Sequence, residues 1–156
     1  RKTFNVERSA LNTIYPELGR TLGDELLEPH RCYYPLLKPL LSCGVRRGRE
    51  EREEPIIKGM AHITGGGLID NLPRILPHGL AARIEVGSWS IPPIFTLIQQ
   101  RGGVDRREMY RVFNMGIGMA LICPPRHVDG IIASAPEARL IGEVVEGRGK
   151  ERVIVS

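Results

Sequence analysis

Three consecutive glycines, Gly65-Gly66-Gly67, separate a segment of strand periodicity from one of helix periodicity. Before them, Ile57, Gly59, Ala61 and Ile63 alternate with Lys58, Met60 and His62, a pattern that buries one face of a strand. After them, Leu68, Ile69, Leu72, Ile75 and Leu76 recur at helical spacing, with Asp70, Asn71 and Arg74 on the other side. The chain must therefore reverse within three residues, and glycine supplies the backbone freedom and close approach such a turn demands. A glycine turn that opens a helix leaves N–H donors unpaired at the positive end of the helix dipole, which suits a phosphate. The same residues also read as a plain turn that packs helix on strand. The spacing is neither Gly-x-Gly-x-x-Gly nor a Walker loop. Pro73 predicts a kink or a restart of the helix.

A second glycine-opened segment runs from Asn114 to Cys123. Its strand part is apolar on both faces, which predicts a central position in a sheet. Gly116 and Gly118 leave room on one side for a ligand or for a close-packed neighbour. Arg111 and Asn114 just before them suit phosphate or ribose oxygens. Of the histidines, His62 at the strand end and His30 at a helix start lie nearest these features, while His78 and His127 read as surface loop residues. His62 is a candidate for proton handling or a hydrogen-bonded structural residue. No Ser-His-Asp, paired-carboxylate or metal-ligand pattern stands out, so the residues favour phosphate binding over any named reaction and suggest no protein-bound metal.

The remaining elements follow in order. Residues 1–21 read as a linker or arm with one short helical turn, and residues 22–156 as one folded domain. Pro29 marks a helix entry, with Tyr33, Leu36, Leu37, Leu40 and Leu41 as an apolar stripe and Gly44 as its stop. The charged run 46–54 reads as a solvated loop. Leu80, Ala82, Ile84 and Val86 form a half-exposed strand. Trp89 plugs a core edge or faces a ligand. Pro92 and Pro93 open a helix ended by Gly102 and Gly103. Asp105 caps the next one. Val128, Ile131, Ile132 and Ala135 mark a short helix. Two last strands, 140–145 and 153–155, are expected to pair as a hairpin. Helices and strands mix without strict alternation, which predicts an α+β fold, a mixed β-sheet with helices packed on it.

The charge balance is mild, +4, and only 5% of residues are aromatic, so nucleic-acid binding has little support. No apolar run is long enough to cross a bilayer. Cys32, Cys43 and Cys123 form no disulfide framework, and a reducing, cytoplasmic setting is expected. A chain that begins at Arg1 is expected to be a fragment, a processed product or the ordered part of something longer.

The run Met60-Ala61-His62-Ile63-Thr64-Gly65-Gly66-Gly67-Leu68-Ile69-Asp70-Asn71-Leu72-Pro73-Arg74 closely resembles the phosphoribosylformylglycinamidine cyclo-ligase (aminoimidazole ribonucleotide synthetase) family. The likeness continues at Gly23-Asp24, Leu26-Leu27-Glu28-Pro29, Arg31, Tyr33, Ser88-Trp89, Pro93-Ile94-Phe95 and Glu108 through Met119. It covers the family's C-terminal domain. The resemblance implies ATP-dependent ring closure of formylglycinamidine ribonucleotide to 5-aminoimidazole ribonucleotide in purine biosynthesis. ATP phosphorylates the formyl amide oxygen, an amidine nitrogen attacks that carbon, and ADP and phosphate leave. It implies that ATP and Mg2+ are held mainly by an N-terminal domain, that the site lies between the two domains, and that the full-length protein is a homodimer. A fragment of this kind is expected to be inactive alone.

Carried onto this sequence, the resemblance implies Thr64, Gly65, Gly66, Gly67 and Asn71 around the substrate's 5′-phosphate. Arg111, Asn114 and Gly116 would form a second cleft wall, and His62 remains a candidate only. His30 departs from the threonine usual after Leu-Glu-Pro, and Pro35 and the charged loop also look particular to this chain. The alternatives are a domain of a related ATP-dependent enzyme (formylglycinamidine ribonucleotide synthetase or selenophosphate synthetase) and a non-catalytic phosphate-binding module.

Overall fold

A computed structural model describes residues 8–42, 55–147 and 149–156. The charged run 46–54, Cys43, Gly44 and the first seven residues of the arm lie outside the described residues. Two sheets organise the domain. Strand β3 (Gly59–His62) pairs antiparallel with β5 (Met119–Ile122), and β4 (Leu80–Ile84) lies between β6 (Gly142–Glu146) and β7 (Val153–Val155). The second sheet is mixed, since β4 runs antiparallel to β6 and parallel to β7. Helices α4 (Gly67–Asn71), α5 (Pro93–Gly102), α6 (Arg106–Val112) and α7 (Val128–Ser134) accompany the strands, so the fold is α+β.

The alternation before the glycines is realised. Ala61 and Ile63 are buried and Met60 and His62 exposed. A core of Leu68, Leu72, Ile84, Trp89, Met109, Tyr110 and Met115 lies between the two sheets' elements. Pro73 ends α4, and the chain tightens into a 3₁₀ turn, Leu72–Arg74. Asp105 caps α6 by accepting hydrogen bonds from the Arg107 and Glu108 N–H groups.

Before these elements, α1 (Arg8–Leu11) is followed by a ribbon of β1 (Ile14–Tyr15) and β2 (Arg20–Thr21), then α2 (Leu22–Leu26). Tyr15 and Leu22 are buried against Ile94 and Leu97 of α5. Helix α3 (Tyr34–Ser42) begins later than Pro29 suggests. The N–H groups of Leu36 and Leu37 both reach the Tyr33 carbonyl. That start places Pro35 in the first turn, where a missing N–H costs nothing.

Two strand expectations and one histidine placement are corrected. The last two strands are not a hairpin: β4 separates them. Ala82 and Ile84 are buried and Arg83 is exposed, so β4 keeps its half-exposed alternation, while its two edges pair with β6 and β7. The Gly147 N–H bonds the Gly79 carbonyl, and the Arg152 guanidinium binds the carbonyls of Leu76 and Pro77, which leads the chain around the end of β4. Nor is β5 central, because β3 is its only strand partner among the described residues. Apolar residues on both faces report what covers the faces, and say nothing of how many edges are paired. His127 lies in the 3₁₀ turn Pro125–His127 and is half-buried, unlike the exposed His78.

Candidate functional site

The β3–β5 ladder carries both glycine segments to the same end. His62 is opposite Met119, and the Ile63 N–H continues the ladder to the Gly118 carbonyl at 2.9 Å. The turn 64–67 therefore lies beside the turn 114–117. Helix α6 completes the arrangement from behind. A Cβ on Gly67 would sit 2.1 Å from the Tyr110 carbonyl oxygen and 2.6 Å from that of Phe113. Gly67, at φ +55°, is thus the point where α4 touches the end of α6.

The three glycines have different roles. A Cβ on Gly65 would meet nothing within 4 Å, so this residue faces open space. Gly66 turns the backbone at φ +97° and leads into α4. Among the described residues, the N–H groups of Gly65 and Gly66 have no hydrogen-bond partner. Gly67 serves packing, in line with the plain-turn reading, while Gly65 keeps the open approach a ligand needs.

Helical periodicity puts Asn71 on the polar side with Arg74, and the structure corrects this. Asn71 is buried at 4% exposure, whereas Arg74 is exposed. Its Nδ2 donates toward the carbonyls of Thr64, Gly65 and Gly67 at 3.4, 3.2 and 2.8 Å. The Thr64 carbonyl also accepts from the Gly67 N–H at 3.0 Å, and the one Asn71 amide gathers all three oxygens, which ties the loop from inside.

The second turn is held by equally few groups. The Ile117 N–H bonds the Asn114 carbonyl, and Met115 and Gly116 have φ of +52° and +95°. Two successive positive φ values mark a primed type I turn. The Asn114 Oδ1 accepts from the Gly116 N–H at 3.0 Å. A left-handed backbone is unfavourable at Met115, and Trp89 holds it there by donating Nε1–H to its carbonyl at 2.9 Å. Trp89 is buried and meets Tyr110 edge to face, so its role is structural. Trp89→Phe keeps an aromatic ring and removes that hydrogen bond. It is expected to lower stability by about 1–2 kcal/mol in urea denaturation.

Arg111 is exposed and has no hydrogen-bond or ion-pair partner among the described residues. Its guanidinium is therefore available to an anion. His62 is exposed as well, and its Nε2 lies 3.1 Å from Nε2 of His30. Tyr33 closes the group, with its ring centroid 6.0 Å from that of His30 and 6.2 Å from that of His62. A Cβ on Gly118 would fall 1.8 Å from the Tyr33 hydroxyl oxygen. The room at Gly118 is therefore for Tyr33, which the sequence pattern places only in an apolar stripe. A glycine in a strand is the signal that some group lies over it.

Beside these turns lies an apolar cavity of about 1080 Å³, walled by Leu36, Leu40, Met119, Leu121 and Ile131 and reached by Gly116 and Gly118. An ion pair between Arg31 and Glu137 spans its rim. Burial pushes the Cys123 thiol up at this wall, which makes it a poor nucleophile. Among the described residues no group of three or more His, Cys, Asp or Glu side chains converges.

The family described as AIR synthase related protein, C-terminal domain, matches residues 2–155. The chain belongs to this family. It is 46% identical over 150 residues to phosphoribosylformylglycinamidine cyclo-ligase of Thermoanaerobacter sp. (strain X514), a match that covers 94% of the chain and 41% of that protein. To the enzyme of the same name from Geobacillus sp. (strain WCH70) it is 46% identical over 153 residues, covering 96% and 41%. For Bacillus subtilis (strain 168) the identity is 46% over 143 residues, covering 89% and 38%. The chain thus spans about two-fifths of the length of these curated relatives. Among the described residues no helix is long and apolar enough to cross a membrane.

Proposed function

We propose that this chain is the substrate-phosphate half of a cytoplasmic phosphoribosylformylglycinamidine cyclo-ligase. The observation that carries this reading is 46% identity across nearly the whole chain to enzymes of that name. The two turns at one end of the β3–β5 ladder support it locally. The open approach at Gly65, the unpaired N–H groups of Gly65 and Gly66 and the unengaged Arg111 offer a phosphate both hydrogen bonds and charge. Thr64 and Gly65–Gly67 shape that site, Asn71 fixes it from inside, and Asn114 and Gly116 form its neighbouring wall. In this reading ATP and Mg2+ are held mainly by an N-terminal domain, and the full-length protein is a homodimer. His62 stands where it could exchange a proton with a substrate held at the turn. Completing the reaction requires the other domain, so the chain alone is inactive in this reading.

A backbone amide NMR titration with ribose 5-phosphate, followed by ADP, tests the assignment. The expected result is saturable shifts at Gly65, Gly66 and Gly67 with the monoester and none there with ADP. Absence of monoester shifts at this turn overturns the phosphate role for the isolated domain.

A further inference from the structure

We propose that His30 and His62 form a two-point site for a transition-metal dication of the zinc class, open to solvent at its other positions. This inference rests on the His30–His62 geometry and is independent of the enzymatic reading. The two Nε2 atoms lie 3.1 Å apart and both side chains are exposed. Their ring centroids are 5.0 Å apart and the planes are tilted by 44°. The centroids are closer than a collinear N–H···N contact would set them, so the ring axes are bent away from the line joining the nitrogens.

Zinc–imidazole bonds of about 2.0–2.1 Å can span N···N separations up to about 4.2 Å, so one ion can reach both nitrogens as neighbouring ligands. Imidazole nitrogens favour zinc, copper and nickel over magnesium or calcium. Without a metal, one ring donates its proton to the other. When an ion binds, both Nε2 atoms must present lone pairs, so the donor ring shifts to the tautomer that carries its proton on Nδ1.

His62 lies on a paired strand, and His30 lies in the segment between α2 and α3. His62 ends β3, where the ladder to β5 holds its backbone. His30 precedes α3, and Tyr33 packs against both rings and fills the room over Gly118. The two nitrogens already lie 3.1 Å apart, within reach of one ion, so binding does not have to gather them. Because no third His, Cys, Asp or Glu converges here among the described residues, water completes the coordination.

Isothermal titration of the chain with Zn2+ alone tests the site, with NMR of the histidine ring protons as a second readout. The expected result is saturable one-to-one binding that perturbs the rings of His30 and His62 and leaves those of His78 and His127 unmoved. His30→Gln and His62→Gln should each weaken binding by about tenfold or more, since even outer partners of a metal site cost that much. Cys32→Ser should leave the affinity within about twofold, as expected of a residue outside the site. Both histidines are exposed, and unchanged backbone spectra of the variants establish that they fold. No binding by the unaltered chain overturns the proposal. So does binding that survives both glutamine variants or disappears with Cys32→Ser, because the ion then sits elsewhere.

Discussion

Replacing Gly67 with alanine is expected to destabilise the domain by about 3–5 kcal/mol, enough to unfold much of it. Two effects add. The new Cβ would lie 2.1 Å from the Tyr110 carbonyl oxygen and 2.6 Å from that of Phe113. Both obstacles are backbone, at the end of α6, and cannot swing aside as a side-chain tip could. Relief requires α4 and α6 to separate, which opens a core containing Leu68, Met109 and Tyr110, each nearly fully buried. The second effect is the backbone itself, since φ at Gly67 is +55° and a β-carbon there costs about 1–2 kcal/mol. Gly65→Ala provides the contrast two residues away. Nothing lies within 4 Å of its Cβ and its φ is not in the left-handed region, so the change should stay within about 1 kcal/mol of the parent. Urea denaturation of the two variants separates the packing glycine from the open one. If Gly67→Ala stays within about 1 kcal/mol of the parent, α4 and α6 do not press together at this point.

The contrast also shows what the sequence could and could not specify. A strand, a glycine turn and a helix are legible from 57 to 76 because alternation and helical spacing record burial directly. Three glycines in a row, however, look identical in sequence. Only the approach of α6 distinguishes Gly67 from Gly65, and α6 is some forty residues downstream. Periodicity misplaces Asn71 for a related reason. It sorts residues by polarity, but a polar side chain can be buried if the backbone supplies its partners, as three carbonyls do here. The placement of β6 and β7 on either side of β4 is hidden because short strands near a glycine turn suggest local pairing. The meeting of His30 with His62 leaves no spacing signal at all, since 32 residues separate them and α3 intervenes. The family resemblance reaches further than any of these local readings, since it spans most of the chain, and the family match over residues 2–155 confirms it.

Asn71→Asp is expected to cost about 3–5 kcal/mol near pH 7, although the side chain barely changes shape. The native amide points its donors at three carbonyl oxygens. An aspartate would set negative oxygens against them at a position only 4% exposed. The charged form loses hydration and gains repulsion, so the folded state raises the carboxyl pKa above the unfolded value of about 3.9. A raised folded pKa means that protonation favours the folded chain. The penalty is therefore smallest below the unfolded pKa, where the neutral acid can donate one hydrogen bond, and it grows as pH rises toward the folded pKa. Relative to the parent, the variant should recover stability on going from about pH 7 to about pH 4, the reverse of a salt-bridged aspartate. Asn71→Ala removes the donors without adding charge, and its cost of about 1–3 kcal/mol should not follow this trend. Urea denaturation of the three proteins at both pH values measures the difference. A penalty for Asn71→Asp that stays constant across this range would mean that the carboxylate escapes to solvent, and that the turn tolerates the loss of its internal tie. If the turn does depend on that tie, ribose 5-phosphate should no longer shift the Gly65 and Gly66 amides in either variant, even under conditions where the variant remains folded. Stability and ligand response would then share one cause, the set of carbonyls gathered by a single buried amide.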